Sequence, residues 1–522
     1  MPVVPDRTPE HARAAVAAYA ALEQAQSGPV GPRARALLGE AGARGWHDVA
    51  CLLHYADYAH LQLAGAGLGA SLRGMTHEAE RSRDDALVAL VTATRGELPG
   101  RDLRDTTDAP DAELAVAVAL LDDGRGSSVH RPVAYVACAL GYGLRGLWEL
   151  EEEMYARADE ALAVRLPPPL DLTQPFTRRV VAVNRVEAHA AWTCGLLEAG
   201  LLDDARRRAS QRPLLSGEVV ADLPPQWARD VVAVTFLLSA IAGEPEPAPL
   251  AEVVADAESA AWPGYVGCAL LGGAVRALDV DDQALAGDLA ERALKRLGDD
   301  YLPTVRLLAL NVAARVTASA ATSRYIEDLT ALRWTARLQM LGAARARLDA
   351  ERIRLDHERL TERAYLDELT GVANRHAYAR HLGRLRRSRD DQGVAVLMID
   401  VDHFKSVNDR FGHHVGDDVL RRVAGLLAER SRPSDLVARL GGDEFVLVLD
   451  GVHRDDAHRR GKELVRAVLD ERWSDLAGGL RVTVSAGLAC GGAPDVDALL
   501  SEADRRLYEA KSQGRARLAA DA

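Results

Sequence analysis

Arg439-Leu440-Gly441-Gly442-Asp443-Glu444-Phe445 lies where two short apolar runs, Leu436–Leu440 and Phe445–Leu449, meet. Two strand-like runs around a Gly-Gly pair predict a β-hairpin. The glycines permit positive φ or close approach of backbone to a phosphate, and two acids follow at once. Read alone, this is a tight turn with solvated acids. Upstream stands Ile399-Asp400-Val401-Asp402-His403-Phe404-Lys405-Ser406-Val407-Asn408-Asp409. Val394–Ile399 reads as a buried strand that ends at Asp400. A strand end beside a hairpin brings carboxylates together, and paired carboxylates with an open face suit Mg²⁺ bound along with substrate phosphates. A neighbouring Lys neutralises polyphosphate charge.

Working outward, the spacing predicts helices over Val415–Glu429, Asp455–Leu469 and Val496–Lys511, and a strand over Val482–Gly487. The order β-α-β-β-α-β-α implies an α+β domain, a sheet with helices packed on it. Before it, from about Tyr325 to Glu362, the chain reads as one long polar helix. Leu341, Leu348 and Leu355 recur every seventh residue, as do Ile353 and Leu360, without forming a clean a/d seam. The pattern fits either a stalk that pairs two chains or a solvated connector.

Residues 1–322 are Ala- and Leu-rich with helical periodicity, broken by Pro clusters at Pro167–Pro169, Pro224–Pro225 and Pro245–Pro249. Gly200-Leu201-Leu202-Asp203-Asp204-Ala205-Arg206-Arg207-Arg208-Ala209 resembles the turn and second helix of a tetratricopeptide repeat. No strict period emerges, so the reading is an all-α, degenerate helical repeat; an irregular helical bundle is the alternative. Such a solenoid offers a groove for a protein partner.

The 522 residues carry 64 basic and 77 acidic side chains, a formal charge of −13, which argues against a nucleic-acid partner. Five scattered Cys, with no CxxC pair, argue against a zinc site or disulfide framework and fit a reducing cytoplasm. Met1-Pro2-Val3-Val4-Pro5-Asp6 lacks a signal-peptide layout, and the clean apolar run Val231–Ala242 is too short to span a bilayer, so a cytoplasmic location with no membrane partner is expected. Lys is scarce (Lys295, Lys405, Lys462 and Lys511), and so is Asn (Asn184, Asn311, Asn374 and Asn408). A Lys or Asn that persists against this bias merits attention.

With these pieces assembled, the C-terminal region resembles the GGDEF domains of diguanylate cyclases. The resemblance rests on five motifs in order: Asp367–Arg375, Asp400–Asn408, Gly412–Asp417, Gly441–Phe445 and Ala503–Arg515. It covers residues 364–519, leaving 1–322 as the helical region and 323–363 as a connecting signalling helix. The resemblance implies a fold similar to the nucleotide-cyclase palm and condensation of two GTP to cyclic di-GMP in a homodimer. It implies Mg²⁺ (or Mn²⁺) held by Asp400, the Val401 carbonyl and Asp443. Asp443 is the implied acceptor of the 3′-hydroxyl proton, Glu444 supports metal or base, and Lys405 stabilises phosphate charge. Phe404 supplies a backbone N–H, Gly441 and Gly442 give room, and Lys511 and Arg515 hold the outer phosphates. Asn408 and Asp417 would read guanine, with His413 nearby. Each has a plainer alternative: Asp417 also suits a helix N-terminus, Asn408 a turn, and His413 and His414 a surface. Arg432 and Asp435 stand at the position of the family's inhibitory product site, the favoured reading; a surface Arg–Asp pair in a helix-to-strand turn is the plainer one. Ala516 departs from the family's usual Asn. A nucleotide-sensing protein without turnover, or a cyclase making mixed cyclic GMP-AMP, are the rival readings.

Overall fold

The protein is described from a computed structural model, which describes residues 8–26, 28–97, 109–124, 126–213, 215, 217–258, 263–297, 303–316, 318–387, 393–432 and 434–520. The chain divides into two compact units, Met1–Leu355 and Asp356–Ala522.

The first unit is helical among its described residues, from Pro9–Ala25 onward. Consecutive helices pack as neighbours, as Arg131–Gly143 does on Trp148–Leu162 and Pro263–Asp279 on Gln283–Arg296. Two apolar cores result. One gathers residues from Ala12 to Ala188 and the other residues from Val186 to Val312. The long helix Gln174–Glu198 serves both, giving Phe176 and Val181 to the first and Val186 and Cys194 to the second. Left-handed Gly200 closes that helix, and Leu202–Ser210 then buries Ala205 and Ala209 against it. Four of the five Cys are buried as small apolar groups and Cys490 is half-buried. No described helix is long and apolar enough to cross a membrane.

The connecting helix runs from Ala320 to Ala364. It is less free than its polar sequence suggests, because the unit boundary falls at Leu355, inside it. Leu341 and Leu348, 8% and 3% exposed, are buried in the first apolar core. Burial of each is worth about 1.5–3 kcal/mol. Arginines on the same face pair with acids of the helical unit: Arg333 with Glu198, Arg337 with Glu149, Arg345 with Glu153, Arg347 with Asp111 and Arg352 with Asp122. The Arg337 guanidinium also lies 4.2 Å from the Trp148 ring and 4.8 Å from Trp334. The seven-residue leucine spacing therefore records packing within the chain, and Leu341 and Leu348 are not available as a seam between two chains. Ile353 and Leu360 stay exposed.

The second unit is a five-stranded sheet with helices on both faces. Its elements are α1 (Arg375–Leu385), β1 (Gly393–Val401), α2 (Phe404–Phe411), α3 (His413–Glu429), β2 (Leu436–Gly441), β3 (Glu444–Asp450), α4 (Arg454–Leu469), β4 (Val484–Gly492), α5 (Val496–Ser512) and β5 (Leu518–Ala519). The strand order is β2-β3-β1-β4-β5. β1 lies at the centre, antiparallel to β3 and β4, which explains its unbroken apolar run. Ala395, Leu397 and Ile399 point to the face covered by α3 and α4, while Val394 and Val396 meet α1 and α5. The short α2, α1 and two-residue β5 are additions to the predicted order. The predicted strand at Val482–Gly487 shifts to Val484–Gly492.

Candidate active site

Sheet register sets the site. Asp400, next to last in β1, pairs with Glu444 of β3 and Ser485 of β4. The Val401 N–H donates to the Asp443 carbonyl at 3.1 Å, so the β2–β3 turn is tied to the end of β1. That turn needs its glycines for conformation: Gly441 has φ 146° and Gly442 φ 55°. A Cβ on either would meet nothing within 4 Å, so the space above the turn is open. Arg439 fixes the turn from below. Its Nε and Nη2 donate to the Gly442 carbonyl at 3.0 and 2.8 Å, and its Nη1 donates to Asp367 at 3.0 Å.

Asp400 is 8% exposed, and its Oδ2 accepts from Lys511 Nζ at 2.7 Å. Burial pushes its carboxyl above the ordinary range. Lys511 opposes that shift, and Asp443 and Asp402 reinforce it. A buried carboxylate that titrates high beside a second acid is poised for a cation. Among the described residues no group of three or more Asp, Glu, His or Cys gathers at metal distance. The available donors here are two carboxylates and a backbone carbonyl, all oxygen. They fit an ion such as Mg²⁺, which takes one or two carboxylates and completes its shell with phosphate and water.

Beyond β1 the chain turns through His403, at φ 56°, into α2. Phe404 and the exposed Lys405 thus stand in the first turn of α2, near the strand end. Gly416 at the start of α3 is buried, and a Cβ there would lie 1.9 Å from Asn408 Oδ1. Glycine lets α2 and α3 close together, bringing Asn408, exposed His413 and half-buried Asp417 to one junction.

Asp402 is a residue the sequence reading missed. It is 5% exposed and accepts from Thr483 Oγ1 and Ser485 Oγ, both at 2.7 Å, and from the Ala516 N–H at 3.0 Å. This carboxylate holds β4 and the segment after α5 to the site. Gly514, Arg515 and Ala516 all have positive φ, and Arg515 is exposed. The alternation of Thr483 and Ser485 on one side of the predicted strand was the signal that a polar partner faced them.

Asn374 is also more than a motif position. Its Oδ1 accepts from the His376 and Ala377 N–H groups and caps α1, while its Nδ2 donates to the carbonyls of Ala364 and Leu366. Asp367 accepts from Thr370 as well as Arg439. The first motif thereby joins the end of the connecting helix to the Gly-Gly turn.

Arg432 and Asp435 sit before β2, at the end of that strand away from Gly441. The Asp435 side chain is fully buried, and it accepts from the Arg432 N–H at 2.7 Å and from the Arg460 guanidinium. The exposed Arg432 lies apart from the carboxylates at the head of β1.

Residues 364–517 match the family described as "Diguanylate cyclase, GGDEF domain". The chain is 39% identical over 174 residues to the diguanylate cyclase DgcP of Pseudomonas aeruginosa, covering 33% of this chain and 26% of that protein. It is 33% identical over 159 residues to the diguanylate cyclase DgcZ of Escherichia coli, covering 30% and 54%. A crystal structure of the coiled coil and GGDEF domain of DgcB from Caulobacter crescentus, in complex with c-di-GMP, is 29% identical with a TM-score of 0.31, covering 36% of this chain and 99% of that one. The chain spans between about a quarter and about half the length of the two curated relatives.

Proposed function

Because residues 364–517 form a GGDEF domain of the diguanylate cyclase family, we propose that this chain joins two GTP molecules into cyclic di-GMP, releasing two pyrophosphates. The observation that carries the reading is the locked head of the sheet, where the Val401 N–H holds the Asp443 carbonyl beside the buried Asp400.

Asp400, Asp443 and the Val401 carbonyl would hold a divalent ion, Mg²⁺ or Mn²⁺. Such an ion would lower the pKa of the attacking hydroxyl and take up charge on the α-phosphate. The 3′-oxygen of one GTP attacks the α-phosphorus of the other, a P–O bond forms, the bond to the β-phosphate oxygen breaks, and pyrophosphate leaves. Asp443 takes the proton, with Glu444 beside it. Lys405 and the Phe404 N–H receive phosphate charge at the start of α2. Gly441 and Gly442 leave the phosphates room. Lys511, which donates to Asp400 at 2.7 Å, would turn to the outer phosphates together with Arg515. Asn408 and Asp417 bond the guanine edge, with His413 at its side; a carboxylate matches the two guanine donors and selects against adenine.

One domain holds one GTP, so turnover needs two copies facing each other. The helical unit controls that meeting, with a protein partner as one means of control. The reaction is placed in the cytoplasm. Product binding at Arg432 and Asp435 limits it, with Arg432 meeting phosphate or guanine and Asp435 requiring release from Arg460. Incubation with GTP and Mg²⁺ across protein concentrations tests the reading: cyclic di-GMP should form at a rate per chain that rises with concentration. Asp443→Ala should abolish product without unfolding the chain, and turnover retained in that variant would overturn the assignment.

A further inference from the structure

A cavity of about 230 Å³ lies within the helical unit, lined from both of its apolar cores. Its walls include the aromatic side chains of Tyr55, Phe176, Trp227 and Tyr265, with Gln26, Gln62, Thr177, Asn184, Glu187 and Asp230 as polar groups. Among the described residues no Lys, Arg or His lines it. Asp230, on helix Pro225–Ile241, is 3% exposed, and its Oδ1 has no hydrogen-bond partner. Glu187, one face along on Gln174–Glu198, accepts from the Tyr265 hydroxyl. Asn184, one turn before Glu187, is one of only four Asn in the chain.

We propose that this cavity binds a small organic ammonium ion, with its charge against Asp230 and its apolar body between Phe176 and Trp227. A buried carboxylate oxygen without a hydrogen-bond partner, as Asp230 Oδ1 is, is costly, and a ligand cation supplies the partner. The Phe176 and Trp227 rings stand 6.5 Å apart at 45°, forming an aromatic corner whose faces attract cations. An anion would meet two carboxylates and no base. The volume exceeds the ~150 Å³ of an apolar cavity that accepts benzene, so a ring with a short charged arm fits. Burial first, then Glu187, push the Asp230 carboxyl up to about 7, with Arg229 opposing. A cation seated beside it would restore the charged form.

The site is independent of the cyclase reading, and so is its test. The full chain is titrated calorimetrically with 2-phenylethylammonium, 2-phenylethanol and phenylacetate, which share a ring and differ in charge. The ammonium should bind at least about tenfold more tightly than the alcohol, equivalent to ~1.4 kcal/mol, and phenylacetate should not bind. Asp230→Asn, a near-isosteric change, should remove that preference while leaving the weak alcohol affinity. Trp227→Leu, which keeps the carboxylate, should weaken the ammonium as well. Equal binding of ammonium and alcohol by the unaltered chain, or no heat from the ammonium at millimolar concentration, overturns the proposal whatever the variants do.

Discussion

Asp400 is buried at the end of β1, and burial outweighs its bond to Lys511, so its carboxyl titrates above the ordinary 3.8. A folded-state value raised above the unfolded one means the group favours the fold below about 3.8 and loses that contribution as pH rises through the raised value. At neutral pH its charge therefore works against stability. Asp400→Asn should raise the midpoint of thermal unfolding of the metal-free protein while eliminating product formation, and a lower midpoint would show that Lys511 dominates instead. Asp367 behaves oppositely: despite its burial, bonds from Thr370 and Arg439 hold its carboxyl below 3.8. It stabilises above 3.8 and loses this as pH falls through the lower folded value. Asp367→Asn should flatten the loss of stability in that acid range, as read by circular dichroism. A double-mutant cycle with Arg439→Gln should give a coupling of about 1 kcal/mol or more, since the two act on one turn. Ala516, at φ 52°, pays for a left-handed backbone that Asn tolerates better. Ala516→Asn should stabilise the C-terminal unit by up to ~1 kcal/mol in urea unfolding. The sequence marked Ala516 as unusual; only the dihedral angle gives the physical reason.

At the scale of elements, the central strand and the hairpin were legible because their signals are local: an apolar run that ends at Asp400, and two glycines between β-prone runs. The role of Asp402 was only half legible: the alternation of Thr483 and Ser485 asks for a polar partner, but its three donors, Thr483, Ser485 and Ala516, all lie far along the chain. The connecting helix shows the opposite difficulty. Its length was readable, but a heptad spacing of Leu341 and Leu348 serves an intrachain core as well as a dimer seam. Period alone cannot distinguish the two partners. Leu348→Ala should destabilise the helical unit by about 2–5 kcal/mol and hasten proteolytic cleavage within 320–355. Unchanged cleavage would mean that the helix is held by its arginine pairs rather than by its leucines.

For the whole molecule, the division at Leu355 places most of the connecting helix with the helical unit. If that unit governs how two cyclase domains meet, residues 356–522 alone should differ in rate from the full chain at equal, dilute concentration; identical rates would remove the regulatory role. The charge of −13 argues against a nucleic-acid grip yet is compatible with a nucleotide substrate, because one triphosphate needs only a few local cations and a metal. Under the proposed function Lys405 and Lys511 would supply two of them, half of the chain's lysines. The sheet carries a last consequence, for handling the protein. Both of its rims are covered by minimal pieces of chain. Ala373 bonds alongside β2 through Val437 and Arg439, and the two residues Leu518 and Ala519 lie along β4. An uncovered strand rim recruits other chains. Truncation before Leu518 should therefore increase self-association on concentration relative to the full chain, and an affinity tag is better joined beyond Ala520 than in place of those few residues.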